Sequence, residues 1–185
     1  MRLYLLLVIF IAALFFACAS KEEVSEMEKA GEVGRVEVKS VFGNMERIPV
    51  RYTCDGDDVS PPLTIDGVSD RAASIAIIMD DPDAPIGTFT HWVAWNIPPV
   101  SRIPENIPKD RSVSQPVKML QAKNDFGRYG YGGPCPPKGK PHRYFIKVYV
   151  LDTMLGEDIK SKDDLIKAME GHIIQYGELV GLYGR

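Results

Sequence analysis

ASIAIIMDDPDAPIGTFTHWVAWNI, residues 73–97, holds two apolar runs around a short polar loop. Residues 73–79 form a compact apolar run and predict a core strand. Residues 89–97 are rich in aromatic and branched side chains, which pack well on a pleated surface and predict a second core strand. The Asp-Pro-Asp-Ala-Pro between them requires loop backbone. Further on, RYFIKVYVL at 143–151 alternates apolar and polar residues, the mark of a half-buried strand.

Working outward, RVEVKSV at 35–41 also alternates, and residues 47–52 read as extended, with Pro49 favouring an edge. CDGDDVSPPLTI, from Cys54, demands loop conformations. The Pro-rich excursion at 98–115 is too polar and interrupted to predict a core element. The stretch 117–134 reads as a loop crowded with Gly and Tyr. One helix is signalled, by Ser161 and Asp164 as a capping box before LIKAME and Gly171. IIQYGELVGLYG closes the chain as a final strand or two. There is no strand–helix alternation and no internal repeat, so the expected fold is mainly β: an antiparallel two-sheet sandwich with one late short helix.

The 185 residues suit one domain plus a leader. MRLYLLLVIFIAALFFAC, residues 1–18, has the charged start and apolar core of an export signal, or of a retained membrane anchor. Ala-Cys-Ala-Ser around Cys18 resembles a lipoprotein processing site, although Phe15 and Phe16 are bulky for one. Ordinary cleavage nearby, or a cysteine that merely ends an anchor, explains Cys18 equally. Residues 19–34 read as an acidic flexible tether, with a short frayed helix over 22–30 as a variant, and 35–185 as the folded domain. Membrane contact is expected through the N-terminus only, and the location is exported: secreted or anchored at the cell envelope. The formal net charge is −3 and no basic run is dense enough to track a nucleic-acid backbone.

Cys54 and Cys135 both lie in Gly/Pro-rich loops. In an exported chain they could bridge; two separate thiols are the alternative. No CxxC accompanies them, so a structural zinc site is not expected.

The distinctive polar residues fall in three loops: Asp80–Pro85, His91-Trp92, and Tyr131–Pro137 running on to His142, Arg143 and Tyr144. If these converge, His91 and His142 can donate to an anion, and Tyr144 offers a hydroxyl. Backbone N–H groups near Gly132 and Gly133 can cradle phosphoryl-type oxygens. Asp81 and Asp83 suit the orientation of a histidine, whose pKa such a pair would raise. The bland reading is that Asp-Pro-Asp and Gly-Gly-Pro are turns and His91 is a core-edge residue.

Taken in order, DPDAP, HW and YGGPCPPKGKPHRY resemble the phosphatidylethanolamine-binding protein family, in its compact prokaryotic, Raf-kinase-inhibitor-like branch. YTCDGDDVSPPL and GHIIQYGELVGLY are similar to that branch's early loop and closing segment. The likeness spans about residues 35–184. It implies a two-sheet antiparallel fold with one small pocket near the surface, accepting phosphate-like anions and, in some members, phospholipid headgroups. Carried over motif by motif, the pocket residues are Asp81, Asp83, His91, His142 and Tyr144, with Gly133 and Pro134 at the rim. No cofactor and no metal is implied. The leader and tether are additions to the common cytosolic plan and point away from intracellular kinase control.

The leading expectation is therefore a non-enzymatic binding module for a small anionic or phosphorylated ligand. A second class is an inhibitor or partner of an envelope or extracellular protein such as a protease, with 98–115 as either a docking surface or packed structure. A hydrolase using His91 with Asp81 or Asp83 is a third. It lacks a GxSxG nucleophile, leaving only Cys135.

Overall fold

Residues 33–185 are described by a computed structural model. The leader, Cys18, the tether as far as residue 32 and the 22–30 segment lie outside the described residues. In chain order the strands are β1 (Gly34–Arg35), β2 (Glu37–Lys39), β3 (Glu46–Arg47), β4 (Leu63–Asp66), β5 (Ser74–Asp81) and β6 (Phe89–Ile97). They continue as β7 (Arg102–Ile103), β8 (Ser112–Val113), β9 (Met119–Gln121) and β10 (His142–Leu151), then helix α1 (Lys162–Met169) and β11 (Ile173–Tyr183). The large sheet runs β1-β11-β10-β5-β6-β9-β8, with β3 alongside β11 as a parallel pair; β2-β4-β7 form a small second sheet. The expected two-sheet β architecture with one late helix is the one observed.

Strand β5 is buried along its whole length because it lies between β10 and β6 and is covered on both faces. Ile75, Ile77 and Met79 face the small sheet, joining Leu63, Ile65 and Ile103. Ala76 and Ile78 face the other way, toward Leu165 and Met169 of α1. Coverage on both sides is why this strand reads as an unbroken apolar run, while β10 alternates. Leu165 and Met169, four residues apart, form the buried stripe of α1. Its first turn is capped reciprocally: Asp164 N–H donates to Ser161 Oγ at 3.1 Å, and Ser161 N–H donates to the Asp164 carboxylate at 3.1 Å.

The structure differs from the sequence expectation in three places. The 98–115 excursion supplies β7 and β8 and buries Ile103, Ile107 and Val113. Its apolar residues are too far apart to show a period. Gln121 pins it, donating to the carbonyls of Pro108 and Asp110 at 2.8 and 2.7 Å while accepting from the buried Trp92 indole at 2.7 Å. Residues 117–134 contain β9, whose Met119 and Gln121 are buried. Residues 47–52 extend only to Arg47; Pro49 then opens a 3-10 turn over Val50–Tyr52, closed by the Thr53 hydroxyl donating to the Val50 carbonyl at 2.8 Å. The chain's end is one strand of 11 residues. Among the described residues no helix is long and apolar enough to cross a membrane.

Candidate ligand pocket

Two consecutive aspartates end β5, and the pleat sends them to opposite faces. Asp80 faces the helix layer, where Lys147 and Lys162 each approach it to 3.2 Å, tying β10 and the start of α1 to the sheet. Asp81 faces the other way and lines a cavity of about 230 Å³ at the strand ends.

His91 reaches the same cavity because of a bulge. Met79 pairs with Trp92 but Asp80 pairs with Thr90, so His91 is an extra residue on β6 without a partner on β5. Strict alternation would send it to the helix layer with Val93 and Trp95. The bulge turns it onto the side of Phe89 and Asp81. There its ring packs against Phe89, Phe126 and Tyr144, with centroids 5.1, 5.4 and 5.2 Å away.

Each histidine has one ring nitrogen committed. Nδ1 of His91 lies 2.7 Å from the Gly132 carbonyl, which can only accept, so Nδ1 carries the proton. Nδ1 of His142 lies 2.7 Å from Asp81 Oδ2 and donates to it. The other oxygen of Asp81 accepts the N–H of Asp83 at 2.8 Å. Nε2 is left as the nitrogen each ring offers to the cavity. Burial lowers the pKa of His91, outweighing the pull of the Gly132 carbonyl and of Asp81. The expected His91–carboxylate pair is not formed: His142 takes the carboxylate, and a backbone carbonyl orients His91.

Asp83 points elsewhere. Arg143 grips it with its backbone N–H and Nε, both 2.9 Å from Oδ2, and with Nη2, 2.7 Å from Oδ1. This clamp fastens the Asp-Pro-Asp loop to the start of β10 and holds the Asp83 pKa down at about 2. Tyr144 is fully buried with Ile146 and Val148 and does not line the cavity. Its hydroxyl is, among the described residues, the buried side-chain polar atom with no hydrogen-bond partner. Burial and the nearby Asp81 charge raise its pKa.

The expected backbone cradle at Gly132 and Gly133 is not free. Gly132 N–H donates to the His91 carbonyl at 2.9 Å, and Gly133 N–H to Asp58 Oδ1 at 2.6 Å. Gly133 is required for close approach: a Cβ there would lie 2.7 Å from the Tyr52 carbonyl oxygen and 2.8 Å from Thr53 Cα. The carbonyl of the buried Pro134 accepts from Cys54 N–H at 3.1 Å. Cys54 and Cys135 are joined in a disulfide with Cα atoms 5.4 Å apart, and Cys135, Pro136 and Pro137 form one wall of the cavity.

Of the seven residues singled out from sequence, Asp81, His91 and His142 line the cavity, while Asp83, Gly133, Pro134 and Tyr144 support its surroundings. Sequence reasoning missed Ile86, Phe89 and Phe126, which supply the apolar lining, and Asp58, which holds Gly133 and pairs with Lys109 at 2.6 Å. Nothing in their local spacing marks them. Among the described residues no cluster of three or more His, Cys, Asp or Glu side chains is arranged to hold a metal ion.

Fold and site together describe a β-sandwich with a small cavity at the strand ends, offering two imidazoles beside a carboxylate. The family model for phosphatidylethanolamine-binding protein matches residues 38–184, and the chain belongs to that family. A UPF0098 protein of Pyrococcus abyssi is 63% identical over 152 residues, covering 81% of this chain and 85% of that protein. A UPF0098 protein of Archaeoglobus fulgidus is 51% identical over 178 residues, covering 96% of this chain and 58% of that protein. Among solved structures, the putative phosphatidylethanolamine-binding protein homolog CT736 of Chlamydia trachomatis superposes with a TM-score of 0.73 at 35% identity, covering 82% of this chain and 99% of that one. Escherichia coli YbcL, described as a member of the mammalian family, gives a TM-score of 0.73 at 32% identity with the same coverage.

Proposed function

We propose that this protein is a non-enzymatic binding module for a small oxyanion of the phosphate type, exported and held at the cell envelope by its N-terminus. One observation carries the ligand reading: two imidazoles, each fixed through Nδ1, face a small cavity beside Asp81. A protonated imidazole in a partly apolar site attracts an anion strongly, because the low dielectric screens it little. The volume of about 230 Å³ is below the roughly 300–1,000 Å³ of a drug-sized site, so it suits a phosphate or a headgroup and cannot enclose a diacyl lipid. Cys135, the one candidate nucleophile in the wall, is bonded to Cys54, which argues against the hydrolase reading. The apolar run at 1–18 and the disulfide both suit an oxidising location.

Calorimetric titration of the full chain with inorganic phosphate at pH 5.5 tests the ligand reading. Saturable binding is expected, weakened at least about tenfold in a folded His91→Ala variant, since a hydrogen bond to a charged group is worth about 1.5–3 kcal/mol. Equal affinity in the variant overturns it. Cell fractionation tests the address: if Cys18→Ser leaves both the membrane-bound fraction and the protein's mass unchanged, lipid attachment at Cys18 is excluded.

A further inference from the structure

The polar end of the cavity is made by Asp81, His91 and His142. Asp81 is a carboxylate with both oxygens already receiving protons, from His142 and from the Asp83 N–H. His91 donates Nδ1–H away from the cavity, to Gly132, and His142 donates its own to Asp81. The neutral His91 imidazole, so oriented, turns a bare Nε2 lone pair inward. The two backbone N–H groups that might have balanced this, Gly132 and Gly133, are spent within the chain. An oxyanion approaching His91 Nε2 meets a lone pair unless a proton comes with it.

We infer that the pocket selects oxyanions that carry an exchangeable proton near neutral pH, taking phosphomonoesters and inorganic phosphate in preference to phosphodiesters and sulfate. The inference rests on the anion-binding reading above and adds to it the proton that decides which anion enters. A phosphomonoester monoanion brings one acidic P–O–H. On binding, that proton passes to Nε2 of His91, whose lone pair forms the new N–H bond while the O–H electrons remain on the phosphoryl oxygen. The result is a dianion against an imidazolium, with total charge unchanged and no proton drawn from solvent. A diester monoanion has no such proton, so forming the same contact requires one taken from water. The second ionisation of a phosphomonoester falls near pH 6, so its proton-bearing form persists up to that pH, whereas a diester lacks such a proton throughout the range.

The groups facing His91 set the cost of that proton. Asp80 and Asp81 at the end of β5 and Asp125 in the loop after β9 all favour imidazolium. His142 and Tyr144 come from β10, the former paired to Asp81 and the latter packed edge-on at 5.2 Å. Arg128 stands over the Phe126 ring at 5.3 Å. Burial outweighs the three carboxylates and leaves the free His91 neutral at pH 7.

Calorimetry of the full chain with methyl phosphate and with dimethyl phosphate, from pH 5 to 8 and in buffers of different ionisation heat, tests this. At about pH 5.5 dimethyl phosphate is expected to take up more protons per bound ligand than methyl phosphate, because only the monoester brings its own. Between pH 5 and 6 the diester should weaken more steeply with rising pH than the monoester, leaving a preference for the monoester at pH 7. In His91→Gln the diester's proton uptake should vanish; uptake that persists there assigns the proton to another group and overturns the inference. Saturable binding of both ligands with the same pH slope and proton count overturns it while leaving the anion pocket standing. Binding of neither at pH 5 overturns both readings together.

Discussion

The two sides of the cavity are built on different principles. One side is sheet: Asp81 and His91 stand on β5 and β6, whose neighbours on both faces fix them, and a single bulge aims the imidazole. The other side is loop: Tyr131–Pro137 has no ladder and is stitched from outside, by the Cys54–Cys135 bond, by Asp58 on Gly133 N–H and by the Tyr131 hydroxyl on the Tyr52 carbonyl at 2.6 Å. Chemistry thus sits where the main chain is rigid for its own reasons. The loop wall takes its rigidity from the 52–58 turn and from its reciprocal bonds to His91, through which Gly132 also orients the imidazole.

Removing the stitches should hurt the loop wall most. The disulfide joins residues 81 apart, and in the chain-entropy account its loss costs about 4 kcal/mol. The Cys54→Ser/Cys135→Ser pair is therefore expected to unfold at a much lower denaturant concentration, and an unchanged midpoint would mean the loop wall holds itself. Next, Gly133→Ala forces a Cβ into the Tyr52 and Thr53 backbone and should cost about 1–3 kcal/mol, read by thermal unfolding. A neutral result would show that the 52–58 turn is not fixed against Gly133.

The sheet side predicts smaller effects where its clamps reach solvent. The folded-state pKa of Asp83 lies at about 2, below the ordinary aspartate value of 3.8, so its contribution is fully present above pH 4 and is lost as pH falls toward 2. Arg143 is 49% exposed, so solvent screening holds the pair to less than about 1 kcal/mol. Asp83→Asn should remove that part of the acid sensitivity, checked by comparing unfolding midpoints at pH 2.5 and 6. Smallest of all, Tyr144→Phe removes a buried hydroxyl that stands near the Asp81 carboxylate without closing a well-formed hydrogen bond, so stability should change by less than about 1 kcal/mol. Phosphate affinity should move far less than in His91→Ala. A large loss in Tyr144→Phe would move Tyr144 from support into the contact surface.

The parts of this molecule that were legible in its sequence share a local cause. The apolar run over 73–79, the aromatic run over 89–97 and the capping box at Ser161 each report on neighbours within one turn or one pleat. The order of DPDAP, HW and PHRY likewise announced which residues to watch, and Asp81, His91 and His142 do meet at the cavity. Ile103, Ile107 and Val113 were overlooked because each stands alone among prolines and polar residues; only the sheets they complete make them core.

The sequence by itself determined a mainly β chain, three of its four longest strands, its one capped helix and the family it belongs to. Those follow from periodicity, capping chemistry and motif order, all short-range properties. Tertiary structure alone decided which histidine pairs with Asp81, that His91 is oriented by a carbonyl, that Asp83 is claimed by Arg143, and that the glycine N–H groups are spent. Partners 41 to 75 residues apart make these contacts, and hydrogen-bonding capacity is finite. Which acceptor wins each donor is settled only when the strands bring every competitor within reach.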